Sequence, residues 1–155
     1  MASDISIDQI KELREQTGAG VMDAKRALQE TAGDFEAAVA LIKEKGLARA
    51  EKRVGREAAQ GLVSSYIHVN GKVGVLLEVN CETDFVGRTE EFKKICRELA
   101  MQIAAMNPSS VEELLIQEYI RDASKTVDDL VKEAIAKTGE NIIVKRFARY
   151  ELGEV

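Results

Sequence analysis

Apolar positions recur at helical spacing through the first third of the chain. Ile7, Ile10 and Leu13 predict a first helix, which ends at the turn Thr17-Gly18-Ala19-Gly20. A second helix is predicted from Val21 to Thr31, with Met22, Ala24, Ala27 and Leu28 available for packing and Gly33 as its stop. Asp34 suits the N-cap of a third helix whose apolar face is Phe35, Ala38, Val39 and Ile42, and Gly46 is expected to close it. Three short amphipathic helices can bury their apolar faces by forming a small bundle.

From Leu47 to Gln60 the pattern turns polar, with Arg49, Lys52, Arg53 and Arg56 set among Glu51, Glu57 and alanines, and a partly helical linker is expected. The period then changes. Residues 62–69 and 73–79 are rich in β-branched side chains and flank Asn70-Gly71, so they predict an antiparallel hairpin. A loop, Cys81 to Arg88, leads to a helix opening near Thr89, where Glu90 and Glu91 favour the positive end of the helix dipole. Its stripe of Phe92, Ile95, Cys96, Leu99, Ile103 and Met106 can lie across the hairpin, and Asn107-Pro108 ends it. After an irregular stretch, Thr126 opens another helix with Val127, Leu130, Ala134 and Ile135 inward and Gly139 as C-cap. Residues 142–152 read as a third strand.

Helices and strands are segregated, which predicts an α+β fold: an all-α module at 1–46, a linker at 47–60, and a three-stranded antiparallel sheet packed by helices at 61–155. The Val73, Val75, Leu77 and Val79 face of the hairpin is apolar, and Leu76 and Leu62 are expected to leave apolar groups on the other face. A sheet with two apolar faces is consistent with pairing between copies of the chain.

Composition narrows the function. The chain has 155 residues, 45% hydrophobic and 32% charged, which suits a folded protein of one or two domains. Its net charge of -5 argues against a nucleic-acid binder, because neutralising phosphates takes a surplus of Lys and Arg. No apolar run approaches the ~20 residues that span a bilayer, and the start Met-Ala-Ser-Asp-Ile-Ser lacks the pattern of a signal or transit peptide. A cytoplasmic location is expected, and Cys81 and Cys96, without zinc-site spacing, read as reduced thiols.

Candidate chemistry is sparse. Thr17-Gly18-Ala19-Gly20 lacks the Lys and the preceding strand of a phosphate loop, and reads as a helix-to-helix turn. The only histidine, His68, has no nucleophile or carboxylate at motif spacing. Nothing here supports an enzyme or a cofactor. The loop Thr83-Asp84-Phe85-Val86 is more informative, because it places a bulky apolar residue after an acid where loops are normally polar. Phe85 is either tucked under its own loop as core or an exposed anchor for a partner's pocket.

Three ordered blocks resemble the elongation factor Ts family: Leu13-Arg14-Glu15-Gln16-Thr17-Gly18-Ala19-Gly20-Val21-Met22-Asp23-Ala24-Lys25, Leu77 to Val86, and Gly139 to Phe147. The resemblance implies a ubiquitin-associated-like three-helix bundle at the N-terminus and a core domain after it. It implies a nucleotide exchange factor for elongation factor Tu, with no catalytic chemistry, cofactor or metal of its own. Phe85 would enter an apolar pocket near the partner's Mg²⁺ site, with Thr83, Asp84 and Val86 around it. Leu13, Val21 and Met22 would supply a second contact, although bundle core is the competing role for all three. Many members carry a longer insertion after the position of Pro108, where this chain is short, and short members pair as homodimers. A rival reading is a ubiquitin-associated-like adaptor that contacts RNA through the basic linker, which predicts salt-dependent RNA affinity.

Overall fold

A computed structural model describes residues 4–154, and the chain divides into two compact units, Met1–Lys52 and Arg53–Val155. The first carries α1 (Ile7–Thr17), α2 (Val21–Glu30) and most of α3 (Phe35–Arg53). Local chemistry sets the helix ends. Ser6 accepts from the Gln9 amide while the Gln9 side chain accepts from Ser6, a reciprocal cap that satisfies two donors at the start of α1. Gly18 closes α1 in the left-handed region at φ 72°, and Gly20 caps α2, so Thr17-Gly18-Ala19-Gly20 is a tight helix-to-helix turn. The Asp34 carboxylate accepts from the Ala37 amide at 3.0 Å and starts α3. Leu13, Ala24, Ala27, Leu28 and Ala38 form the core, with Ile10, Phe35, Val39 and Ile42 packed around it.

The end of α3 departs from expectation. The helix runs through Gly46 to Arg53. An interior glycine costs a helix about 1 kcal/mol relative to alanine, but the residues around it are tied to α2. Lys45 pairs with Glu30 at 2.9 Å and Arg49 with Asp23 at 3.1 Å, and Ala50 is fully buried, so tertiary contacts accompany the helix past its weak point.

The second unit contains β1 (Gln60–Ile67), β2 (Val73–Cys81), α4 (Asp84–Gly87), α5 (Glu90–Met106), α6 (Val111–Ile116), β3 (Glu118–Tyr119), β4 (Asp122–Thr126), α7 (Val127–Thr138) and β5 (Ile143–Glu151). The main sheet is antiparallel in the order β1-β2-β5, and β3-β4 form a separate two-stranded ribbon. The hairpin strands meet at a turn in which the Gly71 amide donates to His68 at 2.7 Å, so β1 ends before His68. Helix α5 opens on the Thr89 cap and buries Phe92, Ile95, Cys96, Leu99 and Ile103, while Val75, Leu77, Val79 and Val144 are buried on the sheet.

Two features of this unit differ from the sequence reading. Leu62 lies opposite Val79 in the register, on the buried face; side chains alternate along a strand, so the pairing sets its side. The open face instead exposes Val63, Ile67, Leu76 and Tyr150. The stretch after Pro108 is also ordered. Gln102, buried in α5, donates to the Glu118 carbonyl at 3.0 Å and accepts from the Ile120 amide at 2.9 Å, binding the β3-β4 ribbon to the helix.

Candidate functional site

The segment from Cys81 to Thr89 is a short turn of helix rather than an open loop. Thr83 caps α4 by accepting from the Val86 amide at 3.3 Å, and Thr89, the cap of α5, donates to the Val86 carbonyl at 2.7 Å. The Arg88 amide donates to the Phe85 carbonyl at 3.2 Å. Side-chain caps and a backbone bond therefore hold the turn at both ends, and the Phe85 ring between them is 82% exposed. Val86 is half-buried, and Gly87 is buried where α4 meets the ends of β1 and β2.

Asp84 is exposed, and its carboxylate accepts from the Arg88 guanidinium at 2.9 Å. An i,i+4 pair of exposed groups is weak and screened by salt, so this acid can exchange partners readily. The foot of the turn is bound to the start of β5. The Glu140 carboxylate accepts from the Glu82 amide at 3.1 Å, the Thr83 amide at 2.9 Å and the Thr83 hydroxyl at 2.7 Å. In return, the Glu82 carboxylate accepts from the Asn141 amide at 2.7 Å. The Cys81 thiol donates to the Thr83 carbonyl at 3.1 Å. Burial, and then the neighbouring Glu140 charge, push that thiol's pKa up, which keeps it protonated and able to donate.

The three candidate residues of the first unit have different fates. Val21 and Met22 lie in the first turn of α2, 48% and 60% exposed, and can meet a partner. Leu13 is fully buried in the bundle core. A side chain with no accessible surface has nothing to offer a rigid partner, so the geometry favours the core role for Leu13 over direct contact.

Sequence reasoning missed Glu140, Glu82 and Arg88. Arg88 was within reach, since a carboxylate and a guanidinium four residues apart on a helix face one another. The Glu140 contacts carry no local signal, because they join residues 57 apart in sequence. His68 lies in the hairpin turn, its Nδ1 3.0 Å from the Tyr66 hydroxyl. Among the described residues, no cluster of His, Cys, Asp or Glu could hold a metal ion, and no helix is long and apolar enough to cross a membrane.

Known proteins share this arrangement of sequence. The profile of the family described as Elongation factor TS matches residues 82–155, which include the exposed turn and the segment before β5 that clasps it. Elongation factor Ts of Coprothermobacter proteolyticus is 46% identical over 97% of this chain and 100% of its own length. That of a Thermoanaerobacter species is 46% identical, covering 97% of this chain and 96% of the relative, and that of Thermotoga neapolitana is 45% identical, covering 97% and 98%. The first of these alignments runs over 196 positions against the 155 residues here, so the relative carries segments that this chain lacks. Similarity of this extent across both units, together with the matched exposed turn, shows that the chain belongs to the elongation factor Ts family and has a role in translation elongation.

Proposed function

We propose that this protein promotes GDP release from elongation factor Tu and acts by binding alone, without a cofactor. The observation that carries this reading is Phe85: an aromatic ring 82% exposed on a turn whose backbone is held at both ends. Left in water the ring gains nothing, whereas burying it in a partner's pocket is worth about 1.5–3 kcal/mol. Holding the turn in advance reduces the ordering cost of that step.

Exchange needs no bond chemistry. A protein that prefers the nucleotide-free partner must, by linkage, weaken the partner's hold on nucleotide by the same factor. Phe85 enters an apolar pocket beside the Mg²⁺ site of the partner, and Asp84 leaves its weak pair with Arg88 to meet the groups that hold the ion. Thr83 and Val86 keep the turn in shape. Val21 and Met22 dock on the partner's nucleotide-binding domain, supported by Leu13. Two copies of the chain pair through the open sheet face, and the complex works in the cytoplasm.

The rival RNA-contacting role draws less support. Arg49 pairs with Asp23 and Arg56 with Glu82, so these cations of the basic stretch are already engaged. The test is release of a fluorescent GDP from a bacterial elongation factor Tu. A concentration-dependent acceleration is expected, without GTP hydrolysis by this protein, and an unchanged release rate at saturation would refute the proposal.

A further inference from the structure

The clasp beneath the exposed turn assigns work to a residue that the exchange mechanism leaves idle. Thr83 is held at every polar atom. Its amide and hydroxyl donate to Glu140, its hydroxyl oxygen accepts from the Val86 amide, and its carbonyl accepts from the Cys81 thiol. Glu140 stands beyond Gly139, which ends α7 in the left-handed region at φ 77° and turns the chain toward β5. The adjoining Asn141 returns the contact twice, donating its amide to Glu82 at 2.7 Å and its side chain to the Arg56 carbonyl at 2.8 Å. The turn, the start of β5 and the segment before β1 thus meet in one reciprocal network.

We infer that Glu140 is a positioning residue for nucleotide exchange, holding the Thr83 turn so that Phe85 meets elongation factor Tu already oriented. The inference rests on the reading of Phe85 as the inserted ring. Glu140 is only half-buried and Thr83 is exposed, so water can take over the freed amides when the carboxylate is removed. The fold then loses little. What is lost is direction: the amides of Glu82 and Thr83 lose the acceptor that ties them to β5, and the ring samples orientations that miss the pocket.

Glutamine separates this role from a purely structural one. Its carbonyl oxygen can still accept both amides, and its NH₂ can donate to the Thr83 hydroxyl oxygen, so Glu140→Gln keeps the geometry while removing the charge. Alanine keeps none of it.

The experiment compares wild type, Glu140→Ala, Glu140→Gln, Phe85→Ala and the Phe85→Ala/Glu140→Ala double variant for GDP release from elongation factor Tu, with amide hydrogen exchange on each free protein. Glu140→Ala is expected to lower exchange about tenfold, equivalent to losing a substantial interface contact. Glu140→Gln should retain most of the activity, and the double variant should be no slower than Phe85→Ala, because Glu140 acts through the ring. Amides 83–88 should lose protection in Glu140→Ala while those of α5 keep theirs. A wild-type exchange rate in Glu140→Ala, a further tenfold loss in the double variant, or loss of protection throughout α5 would each overturn the positioning role while leaving Phe85 in place. Wild-type exchange by Phe85→Ala, or no acceleration by the wild-type protein, would instead overturn the Phe85 reading, and the role of Glu140 with it.

Discussion

Two phenylalanines near one another in sequence meet opposite environments: Phe92 is fully buried in α5, and Phe85 is 82% exposed. Their truncations should therefore be read by different instruments. Phe85→Ala removes surface from water rather than from a core, so it should change stability by no more than about 0.5 kcal/mol and the melting temperature by about 1–2 °C. Its effect should appear in exchange, as roughly a thirtyfold loss if the ring is a 2 kcal/mol contact. Phe92→Ala should instead cost about 3–5 kcal/mol of stability. Calorimetry and GDP release on the two variants check both statements. The buried thiols give a second residue-level prediction. Burial raises the Cys96 pKa from 9.0 to about 12 and also raises that of Cys81. Burial first, and then the hydrogen bond to Glu98, raise the Tyr119 hydroxyl from 10.0 to about 12. The unfolded chain releases these protons at lower pH than the folded one. Their contribution to stability is therefore complete below pH 9.0 and is lost as the pH rises toward 12. Urea unfolding across that range should show falling stability, with a shallower fall in Cys96→Ala; identical slopes would contradict the assignment.

Among the elements, the β1–β2 hairpin contains a close backbone approach. Gly61 sits at φ 135°, and a Cβ there would lie 2.1 Å from the Val79 carbonyl oxygen and 2.8 Å from the Asn80 Cα. Neither backbone atom can yield without breaking the register that places Leu62 opposite Val79. Gly61→Ala combines a strained φ with a clash against the central strand, and should cost more than about 4 kcal/mol or abolish folding. Denaturant unfolding checks this, and a variant of near-wild-type stability would mean that β1 can shift. The neighbouring α4 packs on the ends of β1 and β2, so the same change should also disturb the Phe85 turn.

At the scale of the whole molecule, the open sheet face bears on assembly. Val63, Ile67, Leu76 and Tyr150 are all more than half exposed, Tyr150 at 78%, on a sheet whose other side is packed by α5. Exposed apolar patches of this kind mark interaction surfaces, and a two-fold partner of the same surface is the simplest closed arrangement. Sedimentation at micromolar concentration should give a dimer mass, and Leu76→Lys should give a monomer with an unchanged melting profile at low concentration. A monomeric wild type, or a dimeric Leu76→Lys protein, would place the contact elsewhere or remove it.

Much of the fold was legible because its signals are local. Helix caps at Asp34, Thr89 and Thr126, terminators at Gly18 and Gly139, and the hairpin turn signalled by Asn70-Gly71 each act within a few residues and each appears in the fold, although β1 stops two residues before the expected end. The residues of the exposed turn were also legible, through three blocks that keep their order along the chain. What the sequence could not decide depends on contacts between distant segments. Gly46 is a local stop that the helix runs past where Lys45 and Arg49 pair with α2 and Ala50 is buried. The short α6 and the β3-β4 ribbon are held by Gln102 of α5, an interaction with no periodic trace. Thr83-Asp84-Phe85-Val86 could have buried its ring or shown it, and in the folded chain the ring is exposed on a turn capped at both ends and bound to the Glu140 carboxylate. Propensity and periodicity act over one or two turns of chain, whereas the exposure of a side chain depends on which surfaces the folded backbone brings beside it.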